Sequence, residues 1–286
     1  MDETSNAAQA ADNTRQVWDT GTSDLLAFVE KGVAVITMNR PAQRNAFSPA
    51  MLRAMGAALQ RCEIDAEVGC VVLTGTGGAF CAGGDIKGMA ELQARGENPD
   101  PETRTYRQRL DQRATAGKLH QMSKPTLAVL PGAAAGAGFA LALACDLRLA
   151  SDNAILTTAF ARVGFSGDYG GTYFLSRLVG TAKARELYFF SDKLEAPEAL
   201  QLGLVNWVVP AADIERRMWE IALRLAEGPR LAFRYMKENI NRATNAAFED
   251  CLDLEATHQN HTALTEDHKE AARAFVEKRR PKFKGR

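Results

Sequence analysis

Cysteine is sparse. Cys62, Cys70, Cys81, Cys145 and Cys251 make an odd, scattered set without a CxxC pair. That pattern excludes a disulfide framework and the usual structural zinc spacings, and it fits a reducing, cytoplasmic setting. Histidine is sparser still, with His120, His258, His261 and His268 as the whole complement. The last three are spaced to share a face of one helix, but no thiol or carboxylate completes a ligand motif. Solvated helix histidines are expected there, and no metal site. No apolar run approaches the roughly 18 residues of a spanning helix, so no membrane partner is expected. The opening MDETSNAAQAADN lacks the basic and apolar regions of a secretory signal. Neither charge sign is in excess, with Lys plus Arg at 35 and Asp plus Glu at 35. A nucleic-acid partner held by a bulk positive field is therefore not expected.

Several nucleotide and nucleophile motifs are also missing. There is no GK[ST] phosphate loop, and GTGGAF (from Gly75) and GAGFAL (from Gly136) each lack the third glycine of a dinucleotide fingerprint. Gly164-Phe165-Ser166-Gly167 is one residue short of a hydrolase elbow. What is present is a globular mix, 46% apolar and 24% charged over 286 residues, long enough for one large core and an appendage.

Residues 1–24, with five acids against Arg15 alone, read as a disordered tail. Order is expected from Leu25, where two short strands flank a Lys31-Gly32 turn. Ser48-Pro49 reads as an N-cap and first helical position, followed by Met51, Leu52, Met55, Leu59 and Cys62 at helical spacing. GCVVLTG and PTLAVLPG are buried strands, each running into a glycine-rich turn. Residues 88–117 read as a mobile loop around Pro99-Asp100-Pro101 that feeds a helix. LRLAS, AILTT and LVNWVV are further strands, and residues 171–190 and 195–202 are helical. From Ala211 the pattern is helical almost to the end, broken at Gly228-Pro229. The expected organisation is an α/β strand–turn–helix core over 25–210 and a helical appendage from 211 onward.

Two stretches share one design: a buried strand ends and small residues follow (CAGGD after VVLTG; AAAGAG after LAVLPG). Backbone approaches a ligand closely only where side chains are absent. The second stretch enters a helix whose first N–H groups have no internal partner and form a positive pole. Two such turns face to face could hold one oxyanion between two peptide N–H groups, or the glycines could simply serve turns and tight packing. In VGFSGDYGGTYFLSRLVG, Asp168 stands alone among Gly, Tyr, Phe and Leu. It is either the N-cap of a helix starting near Gly170 or a carboxylate facing an apolar pocket, where burial would raise its pKa and fit it for proton transfer.

AFCAGGDIKGM (79–89), KPTLAVLPGAAAGAGFALALACDLRLAS (124–151), VGFSGDYGGTYFLSRLVG (163–180) and LGLVNWVVP (202–210) together resemble the crotonase, or enoyl-CoA hydratase/isomerase, superfamily. MNRPAQRNAFS (38–48) resembles its first CoA-contacting loop and AFVEKRRPKFKGR (274–286) its C-terminal signature. The resemblance implies a ββα spiral core over 25–210, with a helical trimerisation region over 211–286. It also implies a homotrimer or dimer of trimers acting on an acyl-CoA thioester, with no cofactor beyond the CoA of the substrate. By position the family's two oxyanion N–H groups fall on Ala82 and Ala137. Each fixed donor aimed at the developing oxyanion is worth roughly 3–4 kcal/mol. Asp85 caps its turn. Arg44 and Lys87 are implied at the CoA phosphates, and Ala46, Gly83, Ile86 and Gly136 are implied as further substrate-binding residues. Phe139, Phe160 and Phe165 would shape the acyl pocket or pack the core. Phe275 and Lys278 would reach CoA, often that of a neighbouring subunit; the basic tail from Lys278 could equally be a solvated terminus.

The departures from the family decide the chemistry. The two hydratase glutamate positions are Ala140 and Phe160, which puts two-carboxylate hydration in doubt. Asp168 falls on a carboxylate position that isomerases of the superfamily use, and the pattern looks most like the 1,2-epoxyphenylacetyl-CoA isomerase branch. A benzoyl-CoA dehalogenase branch pairs that Asp with a histidine, but His120 lies too close to Pro125 for it. One carboxylate suffices for a 1,3-proton shift, so enoyl-CoA isomerisation leads. Hydration by Asp168 alone and a non-catalytic acyl-CoA-binding trimer remain open.

Overall fold

The computed structural model describes residues 15–97 and 99–286. Strands β2 (Leu25–Glu30) and β3 (Val33–Met38) form an antiparallel hairpin. Lys31 and Gly32 both sit at positive φ (51° and 75°), as a two-residue turn matched to strand twist requires. Ahead of them β1 (Gln16–Trp18) pairs antiparallel with β2, and Trp18 is buried. The expected tail therefore ends too late: the apolar Val17-Trp18 pair adds an edge strand, and residues 1–14 lie outside the described residues.

Helix α1 (Pro49–Ile64) begins as its sequence predicts. The Ser48 hydroxyl accepts the Met51 N–H at 3.0 Å, and Met51, Met55, Leu59 and Cys62 turn inward. Then come β4 (Cys70–Gly75), β5 (Ala79–Cys81), α2 (Ile86–Ala94), α3 (Pro101–Gln112), α4 (Lys118–Gln121), β6 (Thr126–Leu130), β7 (Ala133–Ala135) and α5 (Ala137–Leu143). They are followed by β8 (Leu147–Ser151), β9 (Ile155–Thr157), α6 (Gly171–Phe190), β10 (Leu194–Glu195), α7 (Ala196–Gln201) and β11 (Trp207–Val209). The chain closes with α8 (Ile214–Ala226), α9 (Arg230–Ala243), α10 (Phe248–Ala263) and α11 (Glu266–Val276).

A seven-stranded sheet runs β1-β2-β3-β4-β6-β8-β11, parallel from β3 onward. A four-stranded sheet runs β10-β9-β7-β5. Alternate residues of the large sheet serve two cores. Ile36, Met38, Leu73 and Leu130 point into the main core, between the sheets and α1, α4 and α5. Val35, Val72, Leu127 and Val129 meet Met218, Ile221 and Ala222 of α8 on the other face. Both faces are covered, which is why these strands read as unbroken apolar runs rather than alternating ones. This is the mixed α/β architecture expected from the sequence, with a helical C-terminal region.

Two corrections fall in that region. The helical stretch also breaks at 244–247 and at 264–265, where the Thr265 hydroxyl caps α11 by accepting the His268 N–H at 3.0 Å. His268 therefore sits on α11 and His258 and His261 on α10, so the three share no helix. The basic tail is not a free terminus either. The Asp267 carboxylate accepts the Lys284 and Gly285 N–H groups (2.6 and 2.9 Å), and Glu270 accepts Arg279 and the Lys282 N–H. Among the described residues no helix is long and apolar enough to cross a membrane.

Candidate active site

Four segments distant in sequence meet at one place. Arg44 and Asn45 are both left-handed (φ 49° and 59°). Buried Asn45 fixes this turn: its amide donates to the Thr76 and Ala79 carbonyls at 2.9 Å each and accepts the Arg40 N–H. So held, the 44–47 loop docks on the CAGGD turn, with the Phe47 N–H donating to the Gly83 carbonyl at 2.8 Å. Gly83 in turn lies against the start of α5. A Cβ there would come within 2.7 Å of the Ala135 carbonyl oxygen and 3.0 Å of the Ala137 nitrogen, and its φ is +85°. Only glycine fits. The Phe47 ring packs on Tyr169 with centroids 5.2 Å apart, and a Cβ on Gly171 would meet Ala140 at 3.0 Å. Segments 44–47, 82–85, 136–140 and 167–171 are thereby joined.

Within that junction, Ala137 is the first residue of α5. Its N–H makes no hydrogen bond among the described residues and stands at the helix's positive pole. Gly136, left-handed at φ 53°, turns the chain into the helix. Ala82 requires a correction. Its N–H already donates to the Arg44 carbonyl at 2.9 Å, so no proton is left for a ligand. In the same turn the Gly84 N–H makes no hydrogen bond among the described residues. Asp85 keeps the structural role expected of it. It caps α2 by accepting the Gly88 N–H at 3.0 Å and pairs with Arg40 at 3.1 Å. The Gly88 N–H first, and then Arg40, hold its carboxyl below the usual range.

Asp168 is a partly buried carboxylate and no helix cap. Helix α6 starts from Gly170 with no side-chain cap, and only the Asp168 main-chain carbonyl takes part, accepting the Gly171 N–H at 3.0 Å. Gly167, Tyr169 and Gly170 all have positive φ (109°, 49° and 75°), so the chain bends sharply on both sides of the carboxylate. Oδ2 accepts from the Gln108 amide at 3.2 Å, whereas Oδ1 is buried without a partner. Burial pushes the carboxyl up to about 6, and the Gln108 bond works in the opposite direction.

Ala140 and Phe160 line a small apolar crevice together with Gly136, Phe139, Leu143, Thr158, Gly171, Leu175 and Tyr188. The Phe160 ring stacks on Tyr188, centroids 5.8 Å apart and planes 10° apart. Tyr188 also lies against Gly167 and Gly171, on either side of Asp168. Phe139 is both a fully buried core residue and part of this wall, while Phe165 is half exposed. Ala46 is buried within the 44–47 loop, whereas Arg44, Ile86 and Lys87 are exposed. Phe275, in the last turn of α11, and Lys278, just beyond it, are exposed and take no part in the contacts that join the four segments. The sequence reading missed Gly84, Tyr188 and the two glutamines of α3: Gln108, and Gln112, whose side-chain oxygen accepts the Tyr169 N–H at 2.9 Å. The spacing of four between those glutamines was the only available sign that one helix face grips the 168–169 turn.

Known proteins are similar to this chain in sequence and in fold. The sequence profile described as Enoyl-CoA hydratase/isomerase covers residues 29–286. A Rhodobacter capsulatus protein named "Probable enoyl-CoA hydratase" is 38% identical, over 90% of this chain and 96% of its own length. The 1,2-epoxyphenylacetyl-CoA isomerase of Escherichia coli K12 is 33% identical, over 92% of this chain and 98% of its own. The crystal structure of an enoyl-CoA hydratase from Polaromonas sp. JS666 superposes with a TM-score of 0.85 at 32% identity, covering 91% of this chain and 99% of that one.

Proposed function

This chain belongs to the enoyl-CoA hydratase/isomerase family, and from that premise we propose that it isomerises an enoyl-CoA thioester with Asp168 as the proton carrier. The observation that carries this reading is the Asp168 carboxyl. One oxygen is buried and unpartnered, and the acid is poised near 6, close to where a group must sit to act as base and then as acid near neutrality. The two positions that would hold and activate water in a two-glutamate hydratase carry the carbon side chains of Ala140 and Phe160. In the proposed reaction the thioester carbonyl lies between the free N–H groups of Ala137 and Gly84, the latter replacing Ala82. Asp168 removes a proton, the C–H electron pair moves into the thioester enolate, and the same carboxyl returns the proton at the carbon two places along. No water or cofactor enters the balance. Arg44 and Lys87 meet the CoA phosphates, and Phe139 and Phe160 flank the acyl chain. The likeness to the 1,2-epoxyphenylacetyl-CoA isomerase favours this branch.

The Rhodobacter capsulatus relative's name favours a second reading, hydration with Asp168 alone activating the water. One experiment separates the two. The purified chain is given a 3-enoyl-CoA and, separately, crotonyl-CoA in deuterated water, with the isomers separated by chromatography and the products read by mass spectrometry. Double-bond migration without water addition supports the isomerase; water addition to crotonyl-CoA supports the hydratase. Neither reaction and no deuterium exchange would leave an acyl-CoA-binding protein. Asp168→Asn is expected to lower turnover about 100- to 10,000-fold while acyl-CoA affinity stays within a few-fold. Unchanged turnover removes Asp168 from the mechanism. For the assembly we propose a homotrimer or a dimer of trimers, in which Phe275 and Lys278 reach a neighbour's CoA.

A further inference from the structure

Asp168 has two chemically different oxygens. Oδ2 faces the Gln108 amide N–H across 3.2 Å, and Oδ1 has no partner. Gln108 comes from α3, a surface helix with no fully buried residue, and one turn further along the same face Gln112 accepts the Tyr169 N–H. The helix thus grips the loop at consecutive residues, once through the carboxylate and once through the backbone. The other titratable groups around Asp168 are Tyr169 and Tyr188, with Asp111 beyond Tyr169; among the described residues no cation acts on the carboxyl.

A proton placed on Oδ2 would point O–H at N–H, donor against donor. A proton placed on Oδ1 leaves Oδ2 an acceptor, so the amide bond survives in both protonation states. We propose that Gln108 is a positioning residue for the proton transfer, fixing Oδ2 so that Oδ1 is the atom that takes the proton from one substrate carbon and gives it to the other. This rests on the isomerase reading of Asp168. The atoms balance as before: the O–H bond forms at Oδ1 as the C–H bond breaks, and the reverse occurs at the second carbon. Gln108 transfers nothing and touches no substrate atom. It also favours the charged carboxylate, since an N–H donor binds the anion more strongly than the acid.

The test compares pH profiles of kcat/KM for the full chain and for Gln108→Leu and Gln108→Glu, with Asp168→Asn alongside. Leucine removes the donor, so the acid limb is expected to move to higher pH by at least about half a unit. At neutral pH kcat should fall about 10- to 100-fold, because an unanchored carboxylate is misplaced, while KM changes less than about threefold. Glutamate sets a second carboxylate against the first and should move the limb further in the same direction. A limb unmoved in both variants overturns the proposal. Should Gln108→Leu fail to fold, as a thermal melt would reveal, the glutamate variant decides alone, since α3 is charged along its exposed length. If Asp168→Asn is inactive and the Gln108 profiles match the parent, Gln108 alone is wrong. If Asp168→Asn remains fully active, the reading of Asp168 itself has failed.

Discussion

The Asp168 carboxyl is pulled two ways. Burial beside Tyr169 and Tyr188 penalises its charge, the Gln108 amide rewards it, and burial prevails, leaving it at about 6. In the proposed role of base it must be ionised, so kcat/KM is expected to fall as pH drops through about 6, not near 4 as for an exposed carboxylate. The same shift costs stability. Between about 4 and 6 the folded chain holds a proton that the unfolded chain has released, so stability declines as pH rises through that window and stays lower above it. Asp168→Asn should therefore melt higher than the parent at pH 7, by about 2–4 °C for each kcal/mol relieved, with the difference vanishing at pH 4 in a calorimetric scan. A lone acid among aromatic and glycine residues announces itself in the sequence, and Asp168 is legible for that reason. Its partner is not. Gln108 is one polar residue among many on an exposed helix, and only the three-dimensional approach of α3 to the 168–169 turn singles it out. The Ala82 assignment fails for a related reason: a short turn offers several N–H groups, and which are already bonded depends on the neighbouring 44–47 loop.

Elements with strong local chemistry are readable in advance. The Lys31-Gly32 hairpin and the Ser48-Pro49 start of α1 follow from backbone preference and capping, and both are found. Helix α2 reads partly as loop because none of its residues is buried, so its sequence carries no inward-facing apolar stripe; Asp85 alone marks where it starts. Helix α9 is amphipathic, but its most buried residue is a cation that its apolar pattern does not point to. Its seating on the core depends on Lys237, nearly buried, whose ammonium donates to the Leu119 carbonyl and the Asp146 carboxylate at 2.9 Å each and to the Lys124 carbonyl at 3.3 Å. Asp146 also accepts both the N–H and the hydroxyl of Thr126. Lys237→Met removes the cation and strands these acceptors, with a loss of about 3 kcal/mol expected in urea unfolding. The lower end of the range for a broken buried pair applies because Asp146 is partly exposed and keeps Thr126. A loss below about 0.5 kcal/mol, the size of an ordinary surface substitution, would show that α9 is held by its apolar contacts instead.

Across the whole molecule, the last helices carry large apolar groups that the single chain leaves uncovered. Met236 and Ile240 on α9, Phe248 and Leu252 on α10, and Phe275 and Val276 on α11 are all between 47% and 86% exposed. So many uncovered side chains in one region are what a partner surface provides, and they accord with the proposed trimer or dimer of trimers. Sedimentation equilibrium should return three or six copies at micromolar concentration; a monomer there ends the assembly proposal. The cysteines supply a practical handle on the same surface. Cys62, Cys70, Cys81 and Cys145 are sealed in the core, and burial pushes every one of those thiols upward. Cys251 alone is partly accessible, and it lies on α10 between Phe248 and Leu252. A maleimide dye should consequently attach at a single sulfur while that face is free, and assembly should slow its attachment, with no engineered residue required.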